Sequence, residues 1–287
     1  LRHRLEATAP ERFRQQHHRA AQHRLAEGDV NAAIRHLWQA GRADEAASVM
    51  RFHMIEVMSA PDAPPPVDQR ALPSPEQVAA APGQAVGFAV GLMMNGQAAQ
   101  AARLLRTAEA AAIAINAPQL DLLHLWGARI AAELLVGETA ESVRCARSVR
   151  SLALSEPPGP DDWASVSLHF GARAAVWEGD LDLADELLTM SETHPDERLA
   201  RIDVAAAKAL LACERGHLDS AIELADAAHL AAQELEVAGN GADLAARSVR
   251  GTALLDRGDV DAAERDFRAV VDRRTERVPS FVMAAIG

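Results

Sequence analysis

The sequence of 287 residues contains no tyrosine, and aromatic residues make up only 3% of it. Sheets are built largely from β-branched and aromatic side chains, so this scarcity argues against an all-β protein. Alanine, which has the highest intrinsic helix propensity, occurs 62 times. The composition therefore predicts an all-α fold.

Cysteine and long apolar runs are also scarce. Cys145 and Cys213 have no CxxC partner and no neighbouring metal-ligand residue, so we expect buried thiols in a cytoplasmic protein. No apolar run approaches the ~20 residues of a membrane-spanning helix, and no signal peptide is recognisable. These absences predict a cytoplasmic protein that does not contact a membrane.

The basic residues are 28 arginines and one lysine, Lys208, and the formal net charge is −12. A chain with this charge repels nucleic acid, so we expect no direct nucleic-acid binding. Residues 1–60 differ from the rest, with nine arginines against seven acids and six of the 11 histidines. The sequence thus joins a mildly basic segment to an acidic body, whose charges are either solvated helix faces or a contact surface for another domain.

One short pattern recurs seven times: a glycine, a usually polar residue, three more residues, and then alanine or serine. The glycines are Gly28, Gly41, Gly96, Gly137, Gly179, Gly216 and Gly258. Glycine ends a helix readily because it adopts the left-handed conformation at little cost, and a small residue lets the two helices of a hairpin approach closely. From Gly96 onward the spacings are 41, 42, 37 and 42 residues. This period predicts stacked helical hairpins, an α-solenoid.

The turn sequence, for example Gly-Asp-Val-Asp-Ala-Ala at 258–263, resembles that of the tetratricopeptide repeat. The period here is longer than in that family, and the family's large aromatics are mostly missing. The resemblance therefore implies a divergent, right-handed superhelix of tetratricopeptide-like hairpins with longer helices.

Proline is concentrated in one stretch, since residues 60–83 hold seven of the 14 prolines. Proline does not fit inside a helix and disfavours helix at the preceding residue. We predict a linker at 60–74 between a helical connector at 1–59 and a repeat superhelix at 75–287. Ser74 is expected to cap the next helix, with Pro75 at its first position.

The first 50 residues resemble the connection that follows the ATPase and winged-helix region in MalT-like regulators of the LuxR type. The matching residues are Leu1, Arg4, Leu5, Pro10, Glu11, Arg12, His17, Ala20, Ala21, Gly28, Ala33, Ile34, His36, Leu37, Ala40, Gly41, Ala46 and Ala47. In that bacterial family an ATPase module precedes a helical-repeat sensor, and a DNA-binding helix-turn-helix follows it. Because Leu1 to Leu5 read as the middle of a helix, we expect the chain to belong to a longer protein.

The resemblance implies a sensor that binds a small-molecule inducer or a regulatory protein, contacts other domains of its parent chain and can self-associate. The sequence has no G-x-x-x-x-G-K-[ST] phosphate loop, so no cofactor is expected here and ATP only in a preceding domain. Some bacterial Ser/Thr kinases carry a similar module, which leaves a kinase regulatory region as an alternative.

We expect no catalytic or metal site, and therefore no enzyme. No nucleophile lies on a recognisable strand–turn–helix elbow. The spacing of His17, His18 and His23 does not place them on one helical face, as a shared metal would require.

The remaining candidate is the concave groove, which in such solenoids is lined by the first helix of each hairpin. Positions six, ten and thirteen residues before each turn glycine are predicted to face inward. The polar candidates for binding a ligand or peptide are His124, His169, Arg173, Asp203, Ser248 and Thr252. The alternatives are a solvated inner face, salt bridges between repeats, or a scaffold that binds peptides or oligomerises without a small ligand.

Overall fold

The computed structural model describes residues 8–54, 57, 71–155, 167–192 and 198–274. Within these ranges the regular structure is helical, with no strand, and fourteen α-helices can be delimited. They are α1 Pro10–Ala26, α2 Val30–Gln39, α3 Ala43–Phe52, α4 Pro75–Ala80, α5 Ala85–Met94, α6 Ala98–Ala114, α7 Gln119–Leu135, α8 Thr139–Ser155, α9 Leu168–Trp177, α10 Leu181–Ser191, α11 Arg198–Glu214, α12 Leu218–Glu234, α13 Gly241–Asp256 and α14 Val260–Arg274. The predicted all-α fold is confirmed.

The predicted turn glycines all connect two helices. All seven adopt a left-handed backbone, with φ between 70° and 92°. After Gly179, for example, the side chain of Asp180 accepts a hydrogen bond from the backbone N–H of Leu183 and so caps α10. The residues five positions after the glycines are all buried: Ala33, Ala46, Ala101, Ser142, Ala184, Ala221 and Ala263. The repeat pattern therefore encodes the turn and the close approach of the two helices.

The hairpins stack side by side. The first helices α5, α7, α9, α11 and α13 each contact the next in this series, and each of α6, α8, α10 and α12 packs on the first helices of its own and the next hairpin. The first helices thus form one continuous layer, which we call the inner helices. This arrangement is an α-solenoid, as the period predicts.

Glycines at helix contacts show how tightly the inner helices pack. A Cβ atom added to Gly87 of α5 would lie 1.7 Å from the carbonyl oxygen of Ala47 in α3. A Cβ atom on Gly171 of α9 would lie 2.5 Å from the Cβ atom of Ala146 in α8. Real Cβ contacts are never this short, so these helices meet only because one partner lacks a side chain.

The helices before the predicted linker share a core with the repeats behind it. Ile34 and Met50 belong to the same buried cluster as Val78 and Phe88. The helix α3 ends at Phe52, because the next residue leaves the helical conformation, with φ −120° and ψ 34°. Residues 58–70 lie outside the described part, so the linker at 60–74 stays a prediction.

The start of the helix after the linker is confirmed. The Ser74 hydroxyl accepts a hydrogen bond from the backbone N–H of Gln77, and the Gln77 side chain accepts one from the backbone N–H of Ser74. Pro75 occupies the first position, where its missing N–H is not needed. These bonds form a capping box for α4.

Both cysteines are free. Cys145 is buried as predicted, and burial raises the pKa of its thiol to about 11, which keeps it protonated and unreactive at neutral pH. Cys213 is only half-buried. No helix in the described ranges is both long and apolar enough to cross a membrane.

Candidate functional site

Two adjoining inner helices bring three of the predicted site residues together. His169 and Arg173 lie one turn apart on α9 and are 1% and 6% exposed. Asp203 lies on α11, with 24% of its side chain exposed, and its Oδ1 is 3.9 Å from Nε2 of His169. We call these three residues the inner charged cluster.

Arg173 is buried without a close acidic partner. Among the described residues no carboxylate oxygen lies within 4 Å of its guanidinium, and the Asp203 charge acts on it from farther away. Burial lowers the pKa of Arg173, and the attraction of Asp203 only partly opposes this effect. A buried cation with no acid close to it destabilises a fold, so packing alone does not explain this arginine.

The pKa of Asp203 is shifted toward its neutral form, as is that of Arg173. Burial raises the pKa of its carboxyl to about 6, and the nearby Arg173 charge opposes the rise without cancelling it. Near neutral pH this carboxyl is therefore partly protonated and can donate a hydrogen bond as well as accept one.

His124 lies on α7 and belongs to a different contact. Its Nδ1 accepts a hydrogen bond of 2.9 Å from Nε of Arg51 in α3, and the Arg51 guanidinium also pairs with Asp121. Burial, and then the Arg51 charge, lower the pKa of His124 to about 4, so its ring is neutral at pH 7. His124 thus joins the N-terminal helices to the repeats.

Ser248 and Thr252 bond to their own helix. The Ser248 hydroxyl is buried and donates to the carbonyl of Leu244, and the exposed Thr252 hydroxyl donates to the carbonyl of Ser248, each at 3.1 Å. No contact among the described residues connects either side chain to the inner charged cluster.

A second group of buried charges was not predicted. The Arg129 side chain of α7, 3% exposed, forms ion pairs with Glu109 of α6, with Glu133 at 2.7 Å and with Glu141 of α8 at 2.9 Å. These glutamates have further partners. Arg106 pairs with Glu133, Arg144 pairs with Glu109 and Glu141, and the Trp126 indole N–H donates to Glu109. We call this group the ionic network.

The positions predicted to face inward lie six, ten and thirteen residues before a turn glycine. Arg129 and Glu133 precede Gly137 by eight and four residues, so this rule did not predict the ionic network. A usable signal was present. Arg129 and Glu133 are the two charges in an otherwise apolar stretch and are spaced i, i+4, a separation at which opposite charges pair on a helix.

The N-terminal resemblance includes two histidines that meet in the fold. Nδ1 of His17 in α1 lies 2.8 Å from Nδ1 of His36 in α2, and Nε2 of His18 lies 2.9 Å from the Glu45 carboxylate of α3. The histidine-rich stretch thus packs α1 on the next two helices. In the described ranges, no group of three or more histidines, cysteines or acids could hold a metal ion.

The helix packing defines the class of this protein: an all-α solenoid of stacked helical hairpins. No protein-family model matches the sequence, and no curated protein is similar enough to match it. Its structural neighbours include a candidate kinesin light chain of Podosopora anserina with nearly identical TPR-like repeats, 18% identical, with a TM-score of 0.46 over 71% of this chain and 98% of that one.

A variant of the same Podosopora anserina protein is 19% identical to this chain. Its TM-score is 0.47, over 68% of this chain and 96% of that one. Likeness at this level carries no argument about function. The fold assignment therefore rests on the turns and helix contacts described above.

Proposed function

We propose that this chain is a non-catalytic sensor module that binds an effector between its inner helices. The observation that carries this proposal is the convergence of His169, Arg173 and Asp203 on α9 and α11. The spacing from the turn glycines predicts all three positions, and Arg173 is buried with no close acid among the described residues. Pockets that orient a ligand combine an apolar lining with a few such polar groups.

We further propose that the parent protein is a MalT-like, LuxR-type regulator of the bacterial cytoplasm. The resemblance of residues 1–50 supports this context. Several matching residues form the first two turns and their buried contacts, with Gly28 and Gly41 at the turns and Ala33 and Ala46 buried behind them. In this context the effector is a small-molecule inducer or a regulatory protein.

The solenoid offers a route by which binding could reach other domains. Each hairpin of a solenoid contacts mainly its neighbours, so a ligand held between α9 and α11 changes the packing of two adjacent hairpins. The N-terminal helices would follow movements of α7, because Arg51 ties α3 to His124 and Asp121. Such a ligand shifts the parent protein only by as much as it binds one arrangement better than the other.

One observation favours a second function, a scaffold that binds a protein or self-associates. Around the half-buried Phe267, the last described hairpin exposes Leu255, Val260 and Val271 beside an apolar groove of about 360 Å³. Exposed apolar patches of this kind mark protein contacts. A scaffold of this type could also regulate a Ser/Thr kinase.

A thermal-shift screen against metabolites, sugars and nucleotides tests the sensor. A ligand that binds only the folded chain raises its unfolding midpoint. The proposal expects a hit that is lost in both His169→Ala and Arg173→Ala and is kept in Ser248→Ala, a matched change on another inner helix. If no metabolite binds, and a protein captured from the source cell binds whether or not the cluster is intact, the scaffold replaces the sensor.

A further inference from the structure

We infer that the inner charged cluster is a binding site for a small-molecule oxyanion, a carboxylate or a phosphate, with Arg173 as its cationic ligand. This inference rests on the proposed sensor function and names the chemical class of its effector.

The two most buried arginines among the described residues differ in their partners. Arg129 is 3% exposed and pairs with three carboxylates. Arg173 is 6% exposed, and no acid of the described residues lies within ion-pair distance of it. Both guanidinium groups have lost most of their water. Carboxylates compensate for this loss at Arg129 but not at Arg173.

Asp203, the acid nearest in its effect on Arg173, does not serve as this negative partner. Asp203 is near enough to act on Arg173 electrostatically, yet it forms no ion pair with it. Asp203 also approaches the His169 ring, with Oδ1 3.9 Å from Nε2. A ligand that reaches Arg173 would therefore meet this cation and, nearby, the Asp203 carboxyl group.

A guanidinium presents its N–H groups in a planar fork that matches two oxygens of a carboxylate or phosphate. Asp203 repels such an anion while it is ionised, and because burial raises its pKa to about 6, this repulsion falls as the pH drops below 6. Its protonated form can donate a hydrogen bond, and its ionised form can accept one from a ligand hydroxyl. The arrangement thus fits an acid that carries a hydroxyl group nearby.

Inorganic phosphate and malate serve as the two probes. Each is titrated into the native chain at constant ionic strength, with chloride as the balancing anion, and the unfolding midpoint is followed. We expect at least one probe to raise the midpoint, by about 3 °C when it reaches ten times its Kd. A response to phosphate alone indicates that the effector is a phosphate ester, and a response to malate alone indicates a carboxylate. A response to both probes indicates a site that recognises oxyanions in general.

Variants locate the binding. Arg173→Met should abolish the rise, and Arg173→Lys, which keeps the charge but not the fork, should weaken binding at least about tenfold. Arg257→Met is the matched control, because it removes an exposed arginine that pairs with Asp219, and it should leave the rise unchanged. A rise that survives in Arg173→Met is adventitious anion binding elsewhere and contradicts the inference, as does the absence of any rise in the native chain.

The metabolite screen separates failure of this inference from failure of the sensor. If neither probe binds, but a neutral or cationic metabolite binds and is lost in His169→Ala, the sensor stands and its effector is not an oxyanion. If no metabolite depends on the inner charged cluster, the sensor and the oxyanion site fail together.

Discussion

The ionic network and the inner charged cluster bury similar side chains in neighbouring parts of one solenoid, yet their charges are balanced differently. In the ionic network, Arg129 pairs with three carboxylates from three helices. In the inner charged cluster, one half-buried acid faces one buried arginine without forming an ion pair. The ionic network joins helices, whereas the inner charged cluster leaves Arg173 without an ion pair among the described residues. The difference separates buried charges that join helices from those that we propose to be available for a ligand.

The largest effect is expected from Arg129→Met. This change keeps the volume but leaves the buried Glu109 and Glu133 with fewer cations. Removal of one partner from a buried ion pair typically costs 3–5 kcal/mol. We expect a loss of about 3 kcal/mol in the free energy of unfolding, measured by urea denaturation, because Arg106 and Arg144 still reach these acids. A loss below about 1 kcal/mol would place the network among weak surface pairs.

Asp203→Asn should stabilise the chain in a pH-dependent way. The folded pKa of Asp203, about 6, lies above its ordinary value of 3.8, so its favourable contribution is present at low pH and is lost as the pH rises through 6. Asparagine resembles the protonated acid and escapes this loss. Relative to the native chain, the variant should gain up to about 3 kcal/mol between pH 4 and pH 8.

Urea denaturation of both chains across this pH range measures that gain. The comparison of the two chains removes the contributions of other groups, including His124, whose lowered pKa acts in the opposite direction. A difference between the two chains that does not change with pH would show that Asp203 titrates normally.

A smaller effect is expected at Gly171, where α9 meets α8. In a helix, alanine is ordinarily better than glycine by about 1 kcal/mol. Here the added Cβ would lie 2.5 Å from Ala146, so Gly171→Ala should instead destabilise by about 1–2 kcal/mol. In an Ala146→Gly background the same change should become neutral or stabilising, and a double-mutant cycle that shows no coupling would refute the close contact.

The fold was largely predictable because its signals are local. A left-handed glycine at a turn, a small residue five positions later and a serine cap before Pro75 each constrain a few neighbouring residues, and all three are confirmed. The spacing from the turn glycines also predicted the members of the inner charged cluster. Arg173 and His169 precede Gly179 by six and ten residues, and Asp203 precedes Gly216 by thirteen.

Contacts between distant residues were not predictable in this way. The register treated His124 as a groove residue, whereas its ring accepts a bond from Arg51, 73 positions earlier in the chain. The ionic network was missed for a related reason, since Glu109 and Arg129 meet only after two hairpins have packed. Local periodicity fixes which face of a helix a residue occupies, but the partner on that face depends on tertiary packing.

The most direct test of the comparison is the unfolding free energy of Arg173→Met, measured beside Arg129→Met in urea without added anions. If Arg173 is buried without a partner, its replacement by an apolar side chain of similar size leaves the free energy unchanged or raises it by about 1 kcal/mol. A loss for Arg173→Met as large as that for Arg129→Met would show that Arg173 is already paired within the fold. That result would contradict its assignment as the ligand-binding cation.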